Sequence, residues 1–204
     1  IPNGINKYQI IQEKDIVEKN FILFAAARIV PSKGCILFIK ALKKINHKGD
    51  VLVIGDINQV SKHRDEILNE SSSLQNIKYL GLIKDKDLLF SYIRKARFFV
   101  FPSAIEAMSM MLLEVASLKV PIISSDIYEN KAIFNKDEVL FFKTGDVSDF
   151  AEKITWALAN EELMKQKAES AYEKLVNKFS WDTIAKCYDE LYKNTCMERL
   201  KNAV

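Results

Sequence analysis

Six short apolar runs punctuate the chain, and a stretch of helical periodicity follows most of them. Phe21 to Ala27 is continuously apolar and bounded by charge, the pattern of a strand buried on both faces. Val51 to Gly55, Ile77 to Gly81, Phe98 to Phe101, Val120 to Ser125 and Val139 to Phe142 read the same way. From about Lys33, Ile36, Leu37, Ile39, Leu42 and Ile45 recur at three-to-four spacing, which predicts an amphipathic helix. A polar helix is expected from about Asn58 to Ser71, and an apolar one from Met108 to Ser117. Asp85 is placed to cap a helix running through Lys95, because its carboxylate can take the free amides of the first turn. Another helix starts at Val147. Phe150, Ile154, Ala157 and Leu158 keep a helix period, and so do Trp181, Ile184, Tyr188 and Leu191. This last stripe has two readings: packing onto its own domain, or docking onto a neighbour.

Strand and helix alternate with short connections, and crossovers of that length force parallel pairing. The expected fold class is therefore α/β, a doubly wound, Rossmann-like parallel sheet with C-terminal helices. Ligands of such sheets sit at the carboxyl ends of the strands near the switch point, where Gly55, Gly81, Pro102 and Ser103 fall. The opening I-P-N-G-I-N is a turn cluster that reads as a connector, which suggests a fragment beginning after something else. We divide the chain into a linker (1–18), the sheet domain (19–177) and a C-terminal helix (178–204).

Composition narrows the function classes. The chain has 204 residues, 49% hydrophobic and 28% charged, ordinary values for a globular protein. A net charge of +3 without a dense basic block argues against nucleic acid. No apolar run approaches the ~18 residues that span a bilayer. Cys35, Cys187 and Cys196 form no C-x-x-C pair, which suits a reducing cytosol and a filling role. No His and Cys cluster has metal-ligand spacing, and His47 and His63 are expected at the surface. D-K-D at Asp85 to Asp87 reads as a helix cap rather than a metal site. With six glycines and no G-x-G-x-x-G after any strand, a dinucleotide oxidoreductase is disfavoured. No G-x-S-x-G elbow or Walker loop is present.

Two segments carry candidate chemistry. In E-A-M-S-M-M-L-L-E, Glu106 lies before a helix and Glu114 within it, so both can point into one crevice. Ionised carboxylates accept without donating, which suits vicinal sugar hydroxyls; an acidic cap with one surface Glu is the alternative. In R-I-V-P-S-K-G, Arg28 ends a strand and Lys33 stands at a helix start. Two cations beside free helix amides suit a diphosphate, or they are simply solvated. Small residues at Ala107 and Ser109 let the amides there meet a second phosphate. Gly55 and Gly81 either receive a nucleobase by backbone contact or are plain turns.

A-A-A-R-I-V-P-S-K-G, V-L-V-I-G-D, Y-L-G-L-I, F-V-F-P-S-A-I-E-A-M-S-M-M-L-L-E-V-A-S and V-P-I-I-S-S-D, in that order, resemble family-four retaining glycosyltransferases, the glycosyl transferases group one. The resemblance runs from about Asn3 to Trp181 and implies the C-terminal, donor-binding half of a two-domain GT-B fold. It implies a nucleotide-diphospho-sugar donor, no cofactor and no metal, with the acceptor held by an N-terminal half that this chain lacks. By position, Arg28 and Lys33 would bind the diphosphate, Glu106 the transferred sugar and Glu114 the ribose hydroxyls. Met108, Ser109 and Met110 would approach sugar and phosphate through backbone, and Gly55, Leu82 and Ile83 would lie by the base. Glu106, Arg28 and Lys33 would then form the catalytic group. The chain departs from the family at Ala27, Ala107 and Ser109, where Gly is usual; an added Cβ narrows the crevice. The implied activity is transfer of a glycosyl group to an acceptor hydroxyl with retention, in bacterial lipopolysaccharide or capsule synthesis. The setting would be cytoplasmic, with the full-length enzyme at the inner membrane face and a saccharide or lipid-linked acceptor. The alternative is a non-catalytic nucleotide-binding or protein-docking domain of the same fold.

Overall fold

The computed structural model describes residues 2–5 and 14–201, with side chains as far as residue 195. One parallel sheet organises them, in the order β3-β2-β1-β4-β5-β6. Its strands are β1 (Phe21–Arg28), β2 (Val51–Asp56), β3 (Ile77–Gly81), β4 (Ala96–Phe101), β5 (Ile122–Ser125) and β6 (Leu140–Phe142). The helices are α1 (Cys35–Lys44), α2 (Ser61–Ser71), α3 (Lys86–Lys95), α4 (Met110–Ser117), α5 (Tyr128–Ile133), α6 (Val147–Ala159), α7 (Glu161–Lys178) and α8 (Trp181–Lys201). Chain order reverses between β1 and β4, which lie side by side at the centre.

Strand side chains alternate between faces, and both faces are covered, so the central strands need apolar residues at every position. Phe21, Leu23 and Ala25 join Leu52, Phe99 and Phe101 in one core, with Leu112, Val115, Ala171 and Leu175 from α4 and α7. Ile22 and Phe24 join Val53, Phe98 and Val100 in the other, beneath α1 and α6. There Phe142 and Phe150 stack at 4.0 Å between ring centroids, and Phe38 follows Phe150 at 5.9 Å. Edge strand β3 is only half-buried.

Several expected elements shift, each for a local reason. The helix read from Lys33 begins at Cys35, because Pro31–Lys33 forms a separate 3-10 turn that Gly34 ends at φ 75°. Its buried face is Cys35, Phe38, Ile39, Ala41 and Leu42, while Ile36, Leu37 and Ile45 pack only partly. Met108 lies outside α4, whose N-cap is Ser109, and the helix read from Asn58 starts at Ser61. Strand β5 begins two residues late, after Pro121, and β4 two residues early. The short helix α5 was not expected, and the terminal helical region divides into α6, α7 and α8. Asp85 does cap α3, its carboxylate accepting from the Leu88 amide at 3.1 Å. His63 is buried rather than at the surface, since α2 turns the His63, Ile67 and Ser71 face inward; His47 is half-buried.

Among the residues read as a linker, Ile1 and 6–13 lie outside the described residues, whereas Ile5 and Ile16 are buried in the core. The Ile5 amide donates to the Phe179 carbonyl at 2.7 Å, and Gly4 lies against the Trp181 ring. The stripe on α8 is mostly uncovered: Ile184 is buried, but Trp181, Tyr188 and Leu191 are exposed.

Two glycines shape the carboxyl end of the sheet. Gly34 has a left-handed backbone, and a Cβ there would overlap the Pro102 carbonyl. Gly55, at φ 145°, stands where a Cβ would overlap the Ala26 carbonyl, beside a register shift between Ala25 and Arg28. Gly34→Ala should therefore destabilise by on the order of 2 kcal/mol or more, read from the urea midpoint. Phe150→Ala, which empties the centre of the ring stack, should cost about 3–5 kcal/mol in the same measurement. Burial pushes the Cys35 thiol up to about 12, so almost no thiolate forms at pH 8, whereas Cys187 is exposed. A thiol reagent followed by peptide mapping should label Cys187 in the native chain and Cys35 only after unfolding.

Candidate active site

The β1–α1 and β4–α4 connections meet over the switch point between the two central strands. Their backbones touch at Gly34 and Pro102, and the Ala104 amide donates to the Ser32 carbonyl at 2.8 Å. Beneath them, Ser125 Oγ donates to the Ser103 carbonyl at 2.5 Å, and the buried Asn130 amide donates to Ser124 Oγ and Ser125 Oγ at 3.0 and 3.2 Å. The segment carrying Glu106 is thus tied to β5 and α5 as well as to its partner loop.

On that platform Lys33 Nζ donates to Glu106 Oε1 at 2.6 Å. Both side chains are largely shielded, at 28% and 12% exposure, which strengthens the attraction over that of a surface pair. Arg28 ends β1 on the same side of the sheet; it is exposed, without hydrogen bond or ion pair among the described residues. Ser109 is buried, its hydroxyl accepting from the Leu112 amide at 3.4 Å, so the first turn of α4 is capped at one amide. The Met108 sulfur lies 3.1 Å from the Asn3 amide. Met110 is exposed at the helix start.

Next to these charges lies an apolar cleft of about 70 Å³, lined by Ala25, Ala26, Ala27, Ile54, Gly55, Leu82, Ile83, Leu89 and Met111. Gly55, Leu82 and Ile83, singled out in the sequence, therefore share one wall system. Gly81 does not line it. Glu114, one helical turn beyond Met111, pairs through Oε1 with Lys86 Nζ at 3.0 Å. The arrangement offers a small apolar cleft, two shielded carboxylates and the cations Arg28, Lys33 and Lys86. Met111, Leu89 and Lys86 carry no signal of a site in the sequence: apolar helix positions read as core, and a Lys at a helix start reads as solvated. Among the described residues no group of three or more His, Cys, Asp or Glu side chains is placed to hold a metal ion.

Comparison with known proteins bears on this site. The family described as glycosyl transferases group 1 matches residues 6–174. The uncharacterized glycosyltransferase MJ1178 of Methanocaldococcus jannaschii is 32% identical over 196 residues, 94% of this chain and 53% of that protein. The capsular polysaccharide biosynthesis glycosyltransferase CapM of Staphylococcus aureus is 27% identical over 95% of this chain and 54% of its own length. The chain thus spans about half the length of the curated relatives it matches. Among solved structures, Anabaena HepE in complex with UDP superposes with a TM-score of 0.78 at 16% identity, over 86% of this chain and 49% of that one. The C-terminal domain of the group 1 glycosyl transferase LpcC from Francisella tularensis superposes with a TM-score of 0.72 at 17% identity, over 87% of this chain and 100% of that one. The fold is that of the C-terminal half of a GT-B glycosyltransferase, and by its sequence the chain belongs to the glycosyl transferases group 1.

Proposed function

We propose that this chain is the donor-binding half of an enzyme that transfers a glycosyl group from a nucleotide-diphospho-sugar to an acceptor hydroxyl, with retention of configuration. One observation carries the reading: Lys33 and Glu106 meet at 2.6 Å over the β1/β4 switch point, beside the cleft lined by Gly55, Leu82 and Ile83. That is where open parallel sheets take nucleotides. HepE, which binds UDP, has the same fold, and this supports the choice of ligand.

Breaking the bond between sugar and diphosphate builds negative charge on the leaving group and positive charge on the anomeric carbon. Arg28, Lys33 and the amides opening α4 meet the first charge, and the Glu106 carboxylate faces the second. Cations and amides take the place of a metal ion in this scheme. Backbone at Met108, Ser109 and Met110 approaches the sugar and phosphates, Glu114 takes the ribose, and Leu82 and Ile83 flank the base. Binding requires Lys33 to exchange its contact with Glu106 for phosphate oxygens, which frees that carboxylate for sugar hydroxyls.

The acceptor, saccharide or lipid-linked, belongs to the other half, and the uncovered stripe on α8 gives that half a surface to rest on. CapM supports a surface polysaccharide as product; a cytoplasmic setting with peripheral membrane attachment is part of the proposal. Transfer by this chain alone should be slight, because closing the second domain positions the acceptor and excludes water. The methyls of Ala27 and Ala107 favour a second reading, a domain of this fold that binds nucleotide or a protein partner without chemistry.

Thermal-shift measurements against UDP, GDP, ADP and their sugars test the proposal: a preserved site raises Tm with at least one, by about 2.7 kcal/mol of added stability at a hundredfold excess over Kd. No stabilisation by any of them would sink the donor-site assignment and leave the docking reading. Arg28→Ala should weaken a nucleoside diphosphate about tenfold or more while leaving the nucleoside almost unchanged, as read by calorimetry. Equal losses for both ligands would place the phosphates elsewhere.

A further inference from the structure

One ion pair links α3 and α4, which each contribute a residue to the apolar cleft. Leu82 and Ile83, from the loop before α3, form one wall and Met111 of α4 part of the other. Lys86 opens α3 a few residues after Ile83, and Glu114 follows Met111 by one helical turn. Their Nζ and Oε1 atoms lie 3.0 Å apart. The environments differ: the Glu114 side chain is 13% exposed and that of Lys86 is 52% exposed.

Lys86 is poorly placed for the helix it begins, since a cation in the first turn opposes the helix dipole. Nothing about α3 asks for it, because Asp85 already caps the helix and Asp87 supplies the acid its first turn favours. Its ammonium stands 5.3 Å from the centre of the Phe90 ring, one turn on, which turns the side chain along the helix and limits its freedom. Lys86 does reach the Glu114 carboxylate of α4.

A glutamate has three rotatable side-chain bonds, and it can accept from two neighbouring hydroxyls only with its carboxylate plane fixed. An ammonium 3.0 Å from one carboxylate oxygen restrains that side chain before any ligand arrives, which lowers the ordering cost of binding. A carboxylate has about four lone-pair sites, so accepting from an ammonium is compatible with accepting from hydroxyls.

We propose that Lys86 is a positioning residue: it holds the Glu114 carboxylate in the orientation that takes the 2′ and 3′ hydroxyls of a nucleotide together, and so selects ribose over 2′-deoxyribose. The inference rests on the donor-site reading above and adds to it a residue and a specificity. Lys86→Met keeps the stem over Phe90 and removes the charge, whereas Lys86→Arg keeps a donor within reach of Glu114. At an exposed position neither should disturb the fold, and the ratio of two affinities measured on one variant is insensitive to any general loss.

The experiment is calorimetry on the 204-residue chain with matched pairs, UDP and dUDP, GDP and dGDP, ADP and dADP. The unaltered chain should bind the ribonucleotide about tenfold tighter than its deoxy partner. Lys86→Met should shrink that ratio at least threefold, and Lys86→Arg should restore it. A ratio unchanged in Lys86→Met overturns the positioning role alone and leaves the donor site standing. An unaltered chain that binds both sugars equally removes the ribose from Glu114, and the role of Lys86 with it. Failure of every diphosphate to bind overturns the donor-site reading itself.

Discussion

The approach of two backbones at Gly34 and Pro102 is the constraint from which the rest of the site follows. Where chain order reverses, the crossovers from β1 and β4 leave toward opposite faces of the sheet, and their first residues are neighbours only if nothing separates them. A hydrogen at the α position of residue 34 fits; a methyl would strike a carbonyl. With the loops in contact, the amide of Ala104 reaches Ser32, and Lys33 and Glu106 arrive within hydrogen-bond distance. Those two residues are 73 positions apart in sequence, and no local preference brings them together.

The same logic of omitted atoms builds the apolar slot beside them. Ala25, Ala26 and Ala27, near the end of β1, have side chains too small to fill the space, and Gly55 contributes none. The strand is irregular at this point, where pairing with β2 shifts register between Ala25 and Arg28 before it resumes at Arg28 and Asp56. The larger side chains of Ile54, Leu82, Ile83, Leu89 and Met111 complete the lining. Small residues at the floor and large ones at the sides are thus two halves of one device.

Much of this was legible along the chain, and the reasons are physical. Strands covered on both faces must be apolar at successive positions, so Phe21 to Ala27 and Phe98 to Phe101 announce themselves without any partner being known. The Asp85 cap is legible because it acts over three residues. Helix starts were less so: Gly34 and Ser109 set them through backbone geometry and a single side-chain bond, which leave little trace in periodicity. His63 reads as a surface residue because its neighbours in α2 are charged, and only the inward turn of residues 63, 67 and 71 buries it. The six residues of α5 give too few turns for a period to emerge. Arg28, Lys33, Glu106 and Glu114 were visible as chemical types, but the pairing of each acid with its own lysine is a fact of three dimensions.

That pairing has an electrical consequence. Lys33 cancels Glu106 and Lys86 cancels Glu114 at short range, so from a Debye length away, roughly 10 Å at 0.1 M salt, these four groups are nearly invisible. Arg28 is the member of the group left to project an unbalanced field into solvent. On the donor-site reading proposed above, a diphosphate meets the Arg28 guanidinium unpaired, whereas Lys33 engages it only by trading partners. On that reading, the exchange of partners inside the crevice, more than attraction from a distance, sets how readily the ligand is held.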